Sequence, residues 1–140
     1  MALPQVNYLA VLVSGIVIFM LGGLWYSPVL FAKKWMALLG KTEEEMKAAA
    51  AGASIPLMYL LAFLCGLLSA ATLAVVLKHF DNLTLLRGAI IGAGCWLGFA
   101  GATSYATALF SMKPGKLWLI DTGFNLVSFV LAGIILAAWR

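Results

Sequence analysis

The residue most able to do chemistry in this sequence is Asp121, the only carboxylate inside any of the long apolar stretches. A carboxylate in a hydrocarbon layer is costly without a partner, so such residues mark ion or proton paths or buried polar networks. Asp121 follows Lys116 by about one and a half helical turns. Asp121, Asn125, Ser128 and Ala132 share one helix face by their spacing. We expect this polar, small-residue face to contact protein and not lipid.

Polar side chains at the same depth in neighbouring apolar stretches are candidates to complete a site around Asp121. Tyr26 closes the first stretch, and Ser104 and Thr107 lie in the last turns of the third. We predict a polar cluster centred on Asp121 and Asn125, with Tyr26, Ser104 and Thr107 as hydrogen-bond donors. Two interpretations stay open: the carboxylate binds a cation or proton, or the network only fixes helix packing.

The remaining candidate groups indicate no familiar enzyme or cofactor site. His79 is the only histidine, and Cys65 and Cys95 have no spacing that suits a metal. No pair of a nucleophile with histidine is present, and the basic residues form no stripe of the kind that binds nucleic acid. We therefore expect no catalysis, no metal, no cofactor and no nucleic-acid partner.

The composition indicates that the elements holding these residues are membrane helices. The chain is 64% hydrophobic and 10% charged, whereas soluble domains are about 45–50% apolar and about 25% charged. A helix needs about 20 apolar residues to cross a bilayer. The 140-residue chain is thus predicted to be a single all-α membrane domain (1–140) with four transmembrane helices, covering about 6–27, 56–77, 84–110 and 117–139.

The segment 28–55 is the only sizeable part outside the predicted spans. Apolar residues recur there at helical spacing, Gly40 can end a first short helix, and Thr42 with Glu45 forms a capping box for a second. We predict a short amphipathic pair of helices lying in the membrane interface. The expected interfacial anchors, here and at the neighbouring span ends, are Trp25, Lys33, Lys34, Trp35 and Trp118.

Two glycine motifs in the third span favour close helix packing. Gly88 with Gly92, and Gly94 with Gly98, each place small residues four apart, which lets helix backbones approach. The pattern leaves open whether the partner is helix one of the same chain or a second protomer. We expect a homo-oligomer.

The basic residues predict an orientation. Lys33, Lys34, Lys41, Lys47, Lys113 and Lys116 fall on one face of a four-span topology, and Lys78, Arg87 and Arg140 on the other. Lysine and arginine near span ends are enriched on the cytoplasmic side. The segments 28–55 and 111–116 are therefore predicted to be cytoplasmic, with both termini outside.

A local motif gives a family resemblance. Residues 22–28 read Gly-Gly-Leu-Trp-Tyr-Ser-Pro, followed by Phe31, Lys33 and Trp35, and the chain ends in Trp139-Arg140. In these elements the chain resembles a bacterial family of small membrane proteins known as domain of unknown function 1761. The resemblance implies four spans and a bacterial inner membrane, but no reaction.

The function expected from these features is that of a structural or interaction module embedded in the lipid bilayer. The alternative is a small transporter or channel for a cation or small solute, with Asp121 as the coupling or selectivity group.

Overall fold

The computed structural model describes residues 5–140 as a succession of helices joined by short turns. Their bounds are α1 (Tyr8–Trp25), α2 (Ala32–Leu39), α3 (Glu43–Ala51), α4 (Ile55–Lys78), α5 (Leu85–Phe110) and α6 (Gly115–Ala138). Of these, α1, α4, α5 and α6 are long and apolar enough to cross a membrane. The prediction of four such helices is confirmed, and the fold is that of a multi-pass membrane protein.

Helix α6 is the centre of the bundle, because it packs against α1, α4 and α5. The buried core between α1, α4 and α6 consists of small and medium apolar side chains, among them Ala10, Val11, Ala70, Leu73, Ala132 and Leu136. Small side chains allow helix backbones to approach closely where lipid supplies no hydrophobic drive. On the predicted polar face of α6, Ser128 and Ala132 are buried and Asp121 is partly buried, but Asn125 is exposed.

The two glycine motifs of α5 have different environments. A Cβ atom added at Gly88 would overlap the carbonyl oxygen of Gly133, and one added at Gly92 would stand 3.0 Å from the carbonyl carbon of Phe129. The partner of this motif is therefore α6, and neither helix one nor a second protomer. A Cβ added at Gly94 or Gly98 would meet no atom within 4 Å, so the second motif packs against nothing in the described chain.

A π-helical turn interrupts α5 at Trp96–Gly101. Such a turn inserts one extra residue and rotates the helix that follows. The spacing along α5 changes in the same way. Gly92 and Trp96 are four residues apart, whereas Trp96 and Gly101, which lies under the Trp96 ring, are five apart. The indole N–H of Trp96 donates to the Thr122 carbonyl oxygen at 2.9 Å, and Gly101 is buried. The insertion thereby keeps the last turns of α5 facing α6.

The short helices α2 and α3 have the ends that the sequence indicates. Gly40 follows α2 with φ 72°, a left-handed conformation that glycine adopts without strain. The Thr42 hydroxyl accepts a hydrogen bond from the Glu45 amide at 3.1 Å, which caps the start of α3. No residue of α3 is buried, whereas α2 packs against α6.

Candidate polar site around Asp121

The side chain of Asp121 is the point where four segments of the chain meet. Its Oδ1 accepts hydrogen bonds from the Tyr26 hydroxyl at 2.7 Å and from the Trp35 indole N–H at 3.1 Å. Its Oδ2 pairs with the Lys113 ammonium at 3.0 Å. The carboxylate therefore connects α6 to the end of α1, to α2 and to the turn between α5 and α6.

Backbone turns bring the two aromatic donors to Oδ1. Tyr26 directly follows the last residue of α1 and caps it, and its amide donates to the Gly22 carbonyl at 3.1 Å. The chain then folds back, with the amide of Phe31 donating to the Trp25 carbonyl at 3.1 Å, and α2 begins at once. The Tyr26 and Trp35 rings meet edge to face with centroids 5.1 Å apart, so each ring restricts the other.

Lys113 is positioned by the end of α5. Met112 adopts a left-handed φ of 54°, and the Lys113 amide donates back to the Ala108 carbonyl at 3.0 Å. This arrangement is a Schellman-type helix end. It directs the Lys113 side chain across the turn, where its flexible stem carries the ammonium to Asp121.

A second set of hydrogen bonds lies beside the first, between α5 and α6. The Trp118 indole N–H donates to the Ser104 hydroxyl oxygen at 2.9 Å, and that hydroxyl lies 3.4 Å from the Thr122 hydroxyl. Ser104 is thus part of a polar contact between the two helices but does not bond Asp121. Trp25, on the other side, donates its indole N–H to the Ile120 carbonyl at 2.9 Å.

Two predicted members of the cluster do not join it. The Thr107 hydroxyl donates to the Thr103 carbonyl of its own helix at 3.1 Å, because a threonine in a helix can satisfy itself on the preceding turn. The Asn125 amide is exposed and makes no hydrogen bond within residues 5–140. The predicted centre was Asp121 with Asn125, whereas the observed hydrogen bonds centre on Asp121 alone.

Sequence reasoning missed two of the partners of Asp121. Trp35 was predicted to be only an interfacial anchor, but its N–H points to the carboxylate. Lys113 was counted only for orientation. The predicted anchors Lys33 and Lys34 are exposed on α2. The signal that could have found Lys113 is its place in a short turn that leads directly into the helix of Asp121.

An open cavity of about 400 Å³ lies beside the ion pair. Asp121, Lys113 and Asn125 contribute to its wall, together with Ser104, Thr107, Ala108, Ser111, Trp118 and Thr122. The ion pair is only partly covered, with 35% of the Lys113 side chain and 32% of the Asp121 side chain exposed. The arrangement can therefore hold a small polar or cationic group against the carboxylate.

Tyr26, which lies just beyond the last residue of α1, has a perturbed hydroxyl group. Burial, followed by its hydrogen bond to Asp121 and the charge of that carboxylate, raises the pKa of Tyr26 well above its usual value. The phenol therefore stays protonated and remains a hydrogen-bond donor at physiological pH. Within residues 5–140, no group of three or more His, Cys, Asp or Glu side chains could hold a metal ion.

Comparison with known families assigns the chain. The model of the family described as "Protein of unknown function (DUF1761)" matches residues 9–137. The chain belongs to the DUF1761 family. The DUF1761 match includes Tyr26, Trp35, Lys113 and Asp121, so the whole ion-pair site lies within the family domain. No curated protein and no solved structure matches the chain.

Proposed function

We propose that this DUF1761 protein is a non-catalytic structural and interaction module of a bacterial inner membrane that self-associates through α5. The observation that carries the proposal is the open glycine face of that helix. Gly94 and Gly98 are exposed, and no atom of the described chain lies within 4 Å of a Cβ added at either.

The comparison between the two glycine motifs supports self-association. Gly88 and Gly92 show how closely α5 can approach another helix when a Cβ is missing, because there the backbones of α5 and α6 are in contact. Gly94 and Gly98 repeat the same spacing, and the exposed Ala102 extends it. In lipid, small residues at this spacing favour association through van der Waals contacts of backbones. A second copy of the chain offers an identical face.

The segment 28–55 supports an interaction role at the membrane surface. Lys33 and Lys34 are exposed on α2, and the adjoining side chains of Val29 and Leu30 are exposed as well. Exposed lysines beside apolar side chains suit an interface with anionic headgroups. We place this segment and the turn 111–116 on the cytoplasmic side, with both termini outside, because six of nine basic residues fall there.

The test is Gly98→Ile, with Gly23→Ile as the matched control. Gly23 is an exposed glycine of α1, and a Cβ there would also meet nothing within 4 Å. We expect Gly98→Ile to weaken self-association in lipid vesicles by about tenfold or more, since loss of close backbone packing costs more than ~1.4 kcal/mol. Gly23→Ile should associate like the wild type.

Self-association is measured by single-molecule photobleaching or Förster transfer at increasing dilution in lipid. Unfolding in detergent checks that both variants fold equally well. Wild-type protein that remains monomeric at every dilution, or a Gly98→Ile variant that associates normally, would contradict the proposal.

A second candidate function is transport of a cation or small solute through the site at Asp121, and the open cavity beside the carboxylate favours it. Its test is flux into proteoliposomes with Asp121→Asn, which keeps the side-chain shape and removes the charge. Flux that is equal in the wild type and the variant would eliminate this candidate.

A further inference from the structure

We propose that the cavity beside Asp121 binds a primary alkylammonium ion, and that the side chain of Lys113 occupies this site as a tethered competitor. The inference gives the second candidate function a ligand class. It concerns binding alone, so it can hold whether or not the ligand crosses the membrane.

The two oxygens of Asp121 have unequal partners. Oδ1 accepts from Tyr26 and Trp35, whose rings are in edge-to-face contact with each other. Oδ2 has a single partner, the Lys113 ammonium, which sits on a long flexible stem. Oδ2 is therefore the one position at which the partner of the carboxylate can be exchanged without moving a helix.

The ion pair opens onto the cavity, and this makes exchange feasible. About a third of each side chain is exposed, and ion pairs that are this exposed contribute little net stability. An ionised carboxylate left without any cation inside a membrane helix is nevertheless costly. The site can therefore release Lys113 when another cation arrives, but it does not tolerate an empty position.

The lining of the cavity selects the kind of cation. Lys113 itself shows that a primary ammonium fits at Oδ2, where it uses one of its three N–H donors. The unpartnered Asn125 amide lines the same cavity, and its carbonyl oxygen offers an acceptor for a second N–H. Ala108 and Trp118 supply apolar wall for a short alkyl chain. Calcium and magnesium ions take six or more oxygen ligands, and Asp121 is the only carboxylate of this wall.

Two sources carry this chemistry: a free amine in solution and the ethanolamine headgroup of a phospholipid. Both present a primary ammonium on a carbon chain. The experiment therefore compares nanodiscs of phosphatidylcholine, whose headgroup has no N–H, with nanodiscs that contain phosphatidylethanolamine.

The first measurement is the acetylation rate of Lys113 relative to Lys116, which is exposed and does not line the cavity beside Asp121. Adding n-butylammonium to phosphatidylcholine nanodiscs should release Lys113 and raise the ratio of the two rates about two- to fivefold. This factor corresponds to the small free energy of an ion pair that is so exposed. The neutral isostere n-butanol should leave it unchanged. A rise in phosphatidylethanolamine nanodiscs without added amine would identify the headgroup as the ligand. A ratio that responds to neither source overturns the proposal.

The second measurement is the affinity for n-butylammonium by calorimetry in the same nanodiscs. Lys113→Met removes the competitor and should raise the affinity about two- to fivefold. Lys116→Met removes an equal charge that is not paired with Asp121, and it should change the affinity less than twofold. Equal affinities of the two variants would overturn the proposal. Binding by the wild type without flux would exclude transport while leaving the ligand site intact, so the two ideas fail separately.

Discussion

The contact between α5 and α6 predicts different effects for the same substitution at two glycines of one helix. At Gly88, a Cβ would overlap the Gly133 carbonyl oxygen and stand only 2.7 Å from the Ala137 Cβ. Carbon atoms in good contact are about 3.5–4.0 Å apart, so α5 would have to move away from α6 by about 1 Å. At Gly94, a Cβ would meet no atom within 4 Å.

The magnitude follows from two opposing terms. Alanine favours a helix interior over glycine by about 0.8–1 kcal/mol, and this gain is common to Gly88→Ala and Gly94→Ala. Only Gly88→Ala adds overpacking, which typically costs about 1–3 kcal/mol. The propensity term cancels in the comparison, so Gly88→Ala should be less stable than Gly94→Ala by about 1–3 kcal/mol.

Reversible unfolding of the two variants in mixed detergent micelles, at a dilution where the protein is monomeric, measures this difference. Gly133→Ala serves as a further check, because its Cβ would stand 2.9 Å from the carbonyl carbon of Gly88. Once one of these Cβ atoms has separated the helices, the second should cost little, so the double variant should be non-additive. If Gly88→Ala were as stable as Gly94→Ala, the assignment of this motif to the α5–α6 contact would be refuted.

Three further predictions concern other parts of the fold. Trp35→Phe removes one donor to Asp121 and should raise the rate of tryptic cleavage in segment 33–41 severalfold, whereas unchanged protection would show that the indole N–H does not hold α2. Deletion of Ala100 should convert the π turn to a regular helix while keeping Ser104 towards α6. The fold should then survive with a melting temperature close to that of the wild type, and a deletion variant that does not fold would contradict the one-residue insertion. A phosphatase fused after Arg140 should be active in bacteria, because we place the C-terminus outside; a fusion active only in the cytoplasm would reverse the orientation.

Much of the architecture could be predicted because prolines, charged residues and capping residues mark the ends of the apolar stretches. Pro28 and the lysines that follow it close the first, and Pro56 opens the second in the first helical turn, where its missing N–H is harmless. Gly40 and Thr42 marked the ends of the two short helices through their own backbone chemistry. These signals act through neighbouring residues, so they set the helix ends independently of how the rest of the chain packs.

The site was only partly predictable, because its partners come from segments whose direction in space no periodicity fixes. The argument that polar side chains at equal depth meet predicted the contact of Tyr26 with Asp121 correctly, because both positions are fixed by membrane helices. Trp35 and Lys113 reach the same carboxylate from outside the spans, through turns whose path depends on tertiary contacts. The same depth argument placed Asn125 beside the site, on the wall of its cavity, but equal depth does not decide whether two side chains touch, and Asn125 makes no hydrogen bond within residues 5–140.

The glycine motifs show a second limit of sequence reasoning. Gly88-x-x-x-Gly92 and Gly94-x-x-x-Gly98 are the same pattern, yet one forms the contact with α6 and the other faces outwards. Residues 88 and 94 differ by six positions, which is about 240° around a helix at ~3.6 residues per turn. The two motifs must therefore lie on different faces, and only the position of α6 decides which face is internal.

The charge balance at Asp121 constrains any movement of the helix ends that surround it. Lys113 belongs to the turn between α5 and α6, whereas the donors to Oδ1 belong to α1 and α2. If the end of α5 moved away from α6, Lys113 would withdraw and Oδ2 would lose its only cation. Because an unpaired carboxylate at this depth is costly, such a movement is favourable only when another cation takes that place. Exchange of Lys113 for a ligand needs no helix movement, but separation of α5 from α6 would need a ligand cation on Oδ2, so the ligand would favour such a movement through this one oxygen atom.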